Sequence, residues 1–190
     1  MKQFLIMVSI LLIVSITDSN GKNKFQKNYG TQYFIYFEFC KPLSDCHVDT
    51  AKLDFKKTFT DSICTLSYTY KSHMDTIIEK YILSERANFS NQYIINDGEE
   101  FIFNLKFLNT GTYSINKQDF KVYKLVNNEE LIDGCVDHFW SPQFGIILMR
   151  SRKWSSYRVL AIENNRDYKY LEILIQLIMQ DYNFFVGKDY

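Results

Sequence analysis

The chain has few of the residues that interrupt regular structure, and it has no excess of charge. Its 190 residues include 7 glycines and 2 prolines, too few for a disordered or collagen-like chain. Basic and acidic residues number 22 each, so we expect no electrostatic attraction to nucleic acid or to an anionic membrane. A local basic cluster, Arg150, Arg152 and Lys153, is interpreted as a strand end whose side chains face solvent. The length is that of one domain.

Motifs that position catalytic groups or metal ions are also absent from the sequence. There is no Gly-x-Ser-x-Gly, no His-Glu-x-x-His, no glycine-rich phosphate loop and no EF-hand loop. The three histidines, His47, His73 and His138, are scattered, and there is no Cys-x-x-Cys pair. We therefore expect a protein that is not an enzyme and that binds neither a metal ion nor a cofactor.

The N-terminus has the pattern of an export signal. Lys2 precedes an apolar run from Phe4 to Ile16, and the small residues Thr17 and Ser19 suit cleavage. The run is short for a transmembrane helix, so we expect cleavage and no stable membrane insertion, with an uncleaved anchor as the alternative. The sequence thus predicts a signal peptide over residues 1–19 and a secreted, extracellular domain over residues 20–190.

Four cysteines and a glycosylation sequon fit an exported chain. Cys40, Cys46, Cys64 and Cys135 follow the signal peptide, so two disulfides are expected in an oxidising compartment. Sequence alone leaves three pairings open, and a local bridge between Cys40 and Cys46 would leave Cys64 with Cys135. The sequon Asn-Phe-Ser at Asn88 predicts N-glycosylation on a surface loop or turn.

Aromatic residues, by contrast, are abundant, with 14 tyrosines and 16 phenylalanines. Most lie in short segments of β-branched and aromatic residues between turn signals, such as TQYFIYFEF from Thr31 to Phe39. Such segments at even spacing predict an all-β fold, an antiparallel up-and-down β-barrel, with a β-sandwich as the alternative. Closure into a barrel would remove the exposed edges of these aromatic strands.

Two segments needed a choice between helix and strand. The segment from Ser72 to Glu85 has apolar residues at helical spacing but also good strand formers, and we favour a strand. The strand signal DYKYLEILIQLI, residues 167–178, overlaps the ambiguous stretch YLEILIQLIMQDY, residues 170–182, and its position in the chain leads us to predict a strand. The final aromatic segment, YNFFVG at residues 182–187, is predicted to be a strand as well.

The order of these segments resembles the lipocalin family. The first, second and third motifs of that family correspond to YGTQYFIY, SYRVLAIENNRDYKYLEIL and YNFFVGKDY, and CTLSYTY is similar to its cysteine-bearing strand. The matching positions are Phe25, Gly30, Tyr33, Cys64, Tyr157, Val159, Leu160 and Tyr168. Gln32 stands where the family has tryptophan, and Lys188 where it has arginine. The C-terminal helix of typical members is not expected, since the chain stops at Tyr190.

The resemblance implies an eight-stranded barrel around one small ligand, and thus a secreted carrier or scavenger of a hydrophobic molecule. Either face of the opening strand could line the interior, and the first of the two is the more uniformly apolar: Tyr33, Ile35, Phe37 and Phe39, or Phe34, Tyr36 and Glu38. Tyrosine hydroxyls or an arginine would orient the ligand's polar end. Candidate wall residues are Phe37, Tyr68, Phe103, Phe107, Tyr123 and Tyr157.

The alternative function is a secreted protein-interaction module with a filled β core. The segment CVDHFWSPQF contains Phe139 and Trp140 next to Pro142. Large aromatic residues in an exposed loop can anchor a host or partner protein.

Overall fold

The computed structural model describes residues 26–38, 47–60, 62–71, 75–86, 89–127, 135–153, 156–162 and 168–187. Within them, ten antiparallel strands form a closed barrel, in which each strand pairs with the next and β1 pairs with β10. The strands are β1 (Gln26–Glu38), β2 (His47–Thr60), β3 (Ile63–Lys71), β4 (Thr76–Ser84), β5 (Ser90–Asn96), β6 (Glu99–Ile115), β7 (Gln118–Asn127), β8 (Val136–Ser141), β9 (Gly145–Ser151) and β10 (Tyr157–Ala161). Helices α1 (Tyr168–Gln180) and α2 (Tyr182–Phe185) follow.

The barrel confirms the all-β, up-and-down prediction. Because β1 pairs with β10, the described strands leave no open sheet edge, and the sandwich alternative is wrong. The strands number ten rather than the eight that the lipocalin resemblance implies. The segment from Ser72 to Glu85 contains β4, so the strand that we favoured there is confirmed.

The segment after β10 is helical, so the strand predicted over residues 167–178 is wrong. Its buried residues recur every three or four positions along α1, which is the spacing of one helix face. They are Leu171, Leu174, Ile175 and Ile178. The helix contacts β6, β9 and β10, so it lies on the outside of the barrel. The outer surface of these strands covers the buried face of the helix.

The final aromatic segment was also wrongly predicted as a strand. It contains the single helical turn α2, which begins after Asp181, whose carboxylate accepts a hydrogen bond from the Phe184 amide at 3.1 Å. The ring of Phe184 packs against Tyr113 on β6 and Phe139 on β8. The helices therefore bury the outer face of the strands beneath them, and β9 has the continuous apolar run of a strand covered on both faces.

The two ends of the barrel differ. At the packed end, where β2 connects to β3 and β8 to β9, Trp140 stacks on Tyr123 with ring centroids 4.8 Å apart. The buried Lys57 ammonium donates to the carbonyls of Pro142 at 2.9 Å and Gln143 at 2.7 Å. Burial lowers the pKa of this lysine. The opposite end, which we call the mouth, is where β3 connects to β4 and β5 to β6.

Candidate functional site

Inward-facing side chains become more exposed toward the mouth. Paired residues of neighbouring strands share a face, and the register through β5 places Tyr81 of β4 and Phe103 of β6 on the inner face. Along β4 the exposed fraction falls from 37% at Ile77 to 9% at Glu79 and 0% at Tyr81. Along β6 it falls from 49% at Phe101 to 9% at Phe103. Solvent therefore reaches into the barrel from the mouth to about the level of Glu79.

An ion pair crosses the interior at this level. Arg158 of β10 donates through Nη1 to Oε1 of Glu79 at 2.9 Å and through Nη2 to Oε2 at 2.5 Å. This two-bond geometry is the strongest that a guanidinium and a carboxylate form. Counted without its backbone, each of the two side chains is 12% exposed, so the pair lies between the packed interior and the space that opens at the mouth.

Tyrosine hydroxyls surround the ion pair. Tyr81 donates to Oε2 of Glu79 at 2.8 Å and accepts from Gln92 Nε2 at 3.0 Å. On the other side, Nη1 of Arg158 also contacts the hydroxyls of Tyr70 at 3.2 Å and Tyr36 at 3.4 Å. These last contacts are the longer ones, since the two hydrogens of Nη1 are shared among three acceptors.

The charges of this network are fixed by their partners. Burial by itself would raise the pKa of Glu79, but the charge and hydrogen bonds of Arg158 and the hydrogen bond from Tyr81 hold that pKa below its usual value. Burial raises the pKa of Tyr70 and Tyr81, so both phenols are neutral. The network therefore contains one positive and one negative charge at neutral pH.

His138 places an unpartnered acceptor beside the network. Its fully buried ring lies 5.8 Å from the ring centroid of Tyr81. Nδ1 is 3.1 Å from the Val136 carbonyl, which assigns the proton to Nδ1, and Nε2 has no hydrogen-bond partner in the described part of the chain. Burial, followed by the charge of Arg158, lowers the pKa of His138 to about 4. At neutral pH the ring is uncharged and Nε2 keeps its lone pair.

Four of the six predicted wall residues face the barrel interior. Phe103 is paired with Gln92, and Phe107 is paired with Leu125, which is itself opposite His138. These two phenylalanines thus lie beside the polar network. The other two point toward the packed end: the hydroxyl of buried Tyr68 accepts from the Ile146 amide at 3.0 Å, and buried Tyr123 stacks on Trp140.

Tyr157 lies on the outer face, so its predicted place in the cavity wall is wrong. It precedes the inward-facing Arg158, and successive strand residues point to opposite faces. Its register partner Arg150 binds Asp137 on the outside of the barrel. The backbone of Phe37 pairs with Tyr157 and Val48, and its side chain lies outside the described part of the chain.

In the opening strand, the face that points into the barrel is not the more uniformly apolar one. Tyr36 contacts Arg158, and Phe34 packs against Tyr68, so these two aromatic side chains point into the barrel. Gln32 is buried on the same face, and its Oε1 has no hydrogen-bond partner among the described residues. The face with Ile35 is therefore the outer one.

The predicted protein-binding anchor is buried, and that prediction is wrong. Trp140 is fully buried inside the barrel against Tyr123. Phe139 is fully buried on the outer face, with ring centroids 5.7 Å from both Phe184 and Phe185. Neither ring is available to a partner protein in this fold.

The cysteines and the glycosylation sequon are only partly described. Cys64 is a buried free thiol and Cys135 a half-buried free thiol, so the structure contains no disulfide between them. Cys40 and Cys46 lie outside the described residues, as does Asn88. Phe89, which follows Asn88, is 44% exposed.

The basic cluster lies at the end of β9, and the prediction that its side chains face solvent is wrong for Arg150 and Arg152. Arg150 and Arg152 each lie 2.7 Å from the fully buried carboxylate of Asp137, and Lys124 lies 3.4 Å from it. Lys124 also donates to the carbonyl of Phe184 at 2.9 Å. These contacts tie α2 to the outside of β7–β9. A groove of about 540 Å³ beside them, between α2 and β6, is separate from the barrel interior.

Arg158 and Glu79 were not predicted from the sequence, although each had a signal. Arg158 is the single charge in the strand YRVLA, and Glu79 is one of two adjacent charges in the otherwise largely apolar strand TIIEKYILS. A charge that must face a barrel interior requires a partner. The next residue after Glu79 is Lys80, so the strand pattern does not tell which of the two charges points inward.

The described residues contain no cluster of three or more potential metal ligands. Nor does any helix among them have the length and apolar character needed to cross a bilayer. The chain matches no protein-family model and no curated protein sequence.

Proposed function

We propose that this chain is a secreted carrier or scavenger, related to the lipocalins, that holds a small hydrophobic ligand in the barrel interior. The ligand enters at the mouth and rests against the inward faces of β4 and β6. Its polar end lies on the network of Arg158, Tyr36 and Tyr70. The exposure gradient from Ile77 and Phe101 inward to this network is the observation that carries the proposal.

The energetics of such binding are adequate for a carrier. Removing about 300 Å² of apolar ligand surface from water contributes roughly 7 kcal/mol at about 25 cal/mol per Å². Low-micromolar affinity requires roughly 8 kcal/mol. A few hydrogen bonds to the hydroxyls at the floor of the space supply the difference and orient the ligand.

Titration with the uncharged fluorophore N-phenyl-1-naphthylamine tests the proposal. We expect one site with low-micromolar affinity. Phe101→Asp should weaken binding at least about tenfold, because a carboxylate then stands in the path of an apolar ligand. Ile102→Asp is the matched control: Ile102 has a similar exposed fraction, 53% against 49%, but points outward. It should bind like the wild type.

The two variants separate a binding effect from a folding effect. Both place a carboxylate at a half-exposed position of β6, so their melting temperatures should be similar. If the wild type does not bind the fluorophore, the carrier function is wrong. If Ile102→Asp weakens binding as much as Phe101→Asp, the ligand does not enter through this mouth.

A further inference from the structure

The polar floor of the interior is electrically neutral before a ligand arrives. Arg158 and Glu79 cancel, and His138 and the tyrosines around them carry no charge at neutral pH. Rim carboxylates on neighbouring strands, such as Asp49 and Glu99, are exposed, so water screens them. The buried Lys57 lies at the packed end, against the turn between β8 and β9.

On the basis of the proposed carrier function, we infer that Glu79 makes the barrel selective for an uncharged ligand. The ligand class is a molecule with an apolar body and a hydrogen-bonding group such as a hydroxyl. A carboxylate or an ammonium of the same shape is disfavoured. Glu79 is thus a specificity-determining residue, because it pairs with Arg158, whose positive charge would otherwise attract an anion.

The hydrogen bonds of the pair explain this selectivity. Oε1 of Glu79 accepts from Arg158, and Oε2 accepts from Arg158 and Tyr81. An anionic ligand that displaced Glu79 would leave this carboxylate buried without its partner. One that bound beside the intact pair would add an uncompensated negative charge. An ammonium would add an uncompensated positive charge next to Arg158.

A ligand with a neutral polar group can bind without leaving a buried charge unpaired. The long contacts from Arg158 Nη1 to Tyr70 and Tyr36 can be exchanged for bonds to a ligand without separating charges. The lone pair on Nε2 of His138 is a further acceptor, and it is unpartnered among the described residues. A hydroxyl both donates and accepts, which suits this mixture of donors and acceptors.

Three naphthalene ligands of similar size test the inference: 2-naphthol, 2-naphthoate and 2-(aminomethyl)naphthalene. At neutral pH they are uncharged, anionic and cationic. Isothermal titration of the wild-type protein should show 2-naphthol binding at least about tenfold more tightly than either charged ligand. Equal or tighter binding of naphthoate or of the amine would overturn the inference and leave the carrier function intact. Failure of all three ligands to bind would overturn the carrier function itself.

The variant Glu79→Gln tests the role of this one carboxylate. It removes the negative charge and leaves Arg158 positive, so the preference for 2-naphthol over naphthoate should shrink at least about tenfold. Glu100→Gln, an exposed glutamate on the outer side of β6, is the matched control and should keep the wild-type preference. An unchanged ligand preference in Glu79→Gln would overturn the assignment.

A double variant guards against the case in which Glu79→Gln fails to fold. Glu79→Gln with Arg158→Met removes both charges of the pair, so neither member is left buried without its partner. It should favour 2-naphthol over naphthoate, as the wild type does. If the double variant prefers naphthoate, the charge of Arg158 is not what attracts anions, and the inference is wrong.

Discussion

Replacing Arg158 by methionine should be strongly destabilising, because it leaves Glu79 buried without its counter-charge. The variant loses both bonds to the carboxylate, at 2.9 and 2.5 Å, and the longer contacts to Tyr70 and Tyr36. The guanidinium also lies 4.8 Å from the ring centroid of Phe34, a contact that methionine can partly replace. Removal of one partner from a buried pair costs about 3–5 kcal/mol. For a domain of this size that corresponds to a fall in melting temperature of roughly 6–20 °C.

The free energy of unfolding that is lost in Arg158→Met should depend on pH in a defined direction. In the wild type the pKa of Glu79 is lowered, so its contribution is complete above the unfolded pKa of about 4.3 and is lost as the pH falls through the folded pKa. Without Arg158, burial raises the pKa of this carboxyl, and protonation removes the unpaired charge. The difference in unfolding free energy between variant and wild type should therefore narrow as the pH is lowered from about 7 towards 4.

Urea denaturation followed by far-ultraviolet circular dichroism measures this difference at each pH. Lys71→Met is a matched control, because it breaks an exposed ion pair: the side chains of Lys71 and Asp54 are 68% and 64% exposed. This variant should lower the free energy of unfolding by less than about 1 kcal/mol. The double variant Arg158→Met with Glu79→Gln should recover most of the lost stability. A loss below about 1 kcal/mol for Arg158→Met at neutral pH, or a pH-independent loss, would refute the reasoning.

Three further predictions concern the helix, the buried histidine and the buried thiol. Ile178→Ala in α1 should lower the free energy of unfolding by about 2–5 kcal/mol, while the exposed Gln176→Ala should change it by less than about 0.5 kcal/mol; denaturant titration compares the two. Since the folded pKa of His138 is lowered to about 4, its neutral form should persist at pH 6 in nitrogen NMR, and stability should decline as the pH falls from about 6.5 towards 4. A positively charged ring at pH 6 would contradict this. Burial raises the pKa of Cys64 to about 12, so iodoacetamide should label the half-buried Cys135 first and Cys64 only after unfolding, as mass spectrometry of timed samples would show; equal labelling of both thiols in the folded protein would be the contrary result.

Strand existence was predictable, but the inward face of individual strands was not. In β1 both faces are aromatic, and the apolar pattern favoured the face with Ile35 over the one with Phe34 and Tyr36. The barrel turns Phe34 and Tyr36 inward because their side chains meet Tyr68 and the Arg158 network across the interior. Those partners come from distant parts of the chain, so local periodicity carries no information about them.

For the C-terminal segment, local sequence likewise did not decide between a strand and a helix. The residues from Tyr168 to Gln180 have good strand formers, and their helical spacing is equally clear. A helix is formed because the outer face of β6–β10 offers an apolar surface that one helix face can cover. A strand would have left half of these apolar side chains in water.

The sequence by itself determined an all-β fold made of consecutive antiparallel strands, because alternation and turn residues are local properties of the chain. Only the tertiary structure decided that the barrel has ten strands, which end is packed, and that Arg158 meets Glu79 from 79 residues away. A charged residue in a predicted strand indicates only that, if it faces the interior, it needs a partner of opposite charge. Closure of the barrel brings β10 and β4 to face each other, and this closure selects the partner and creates the polar floor.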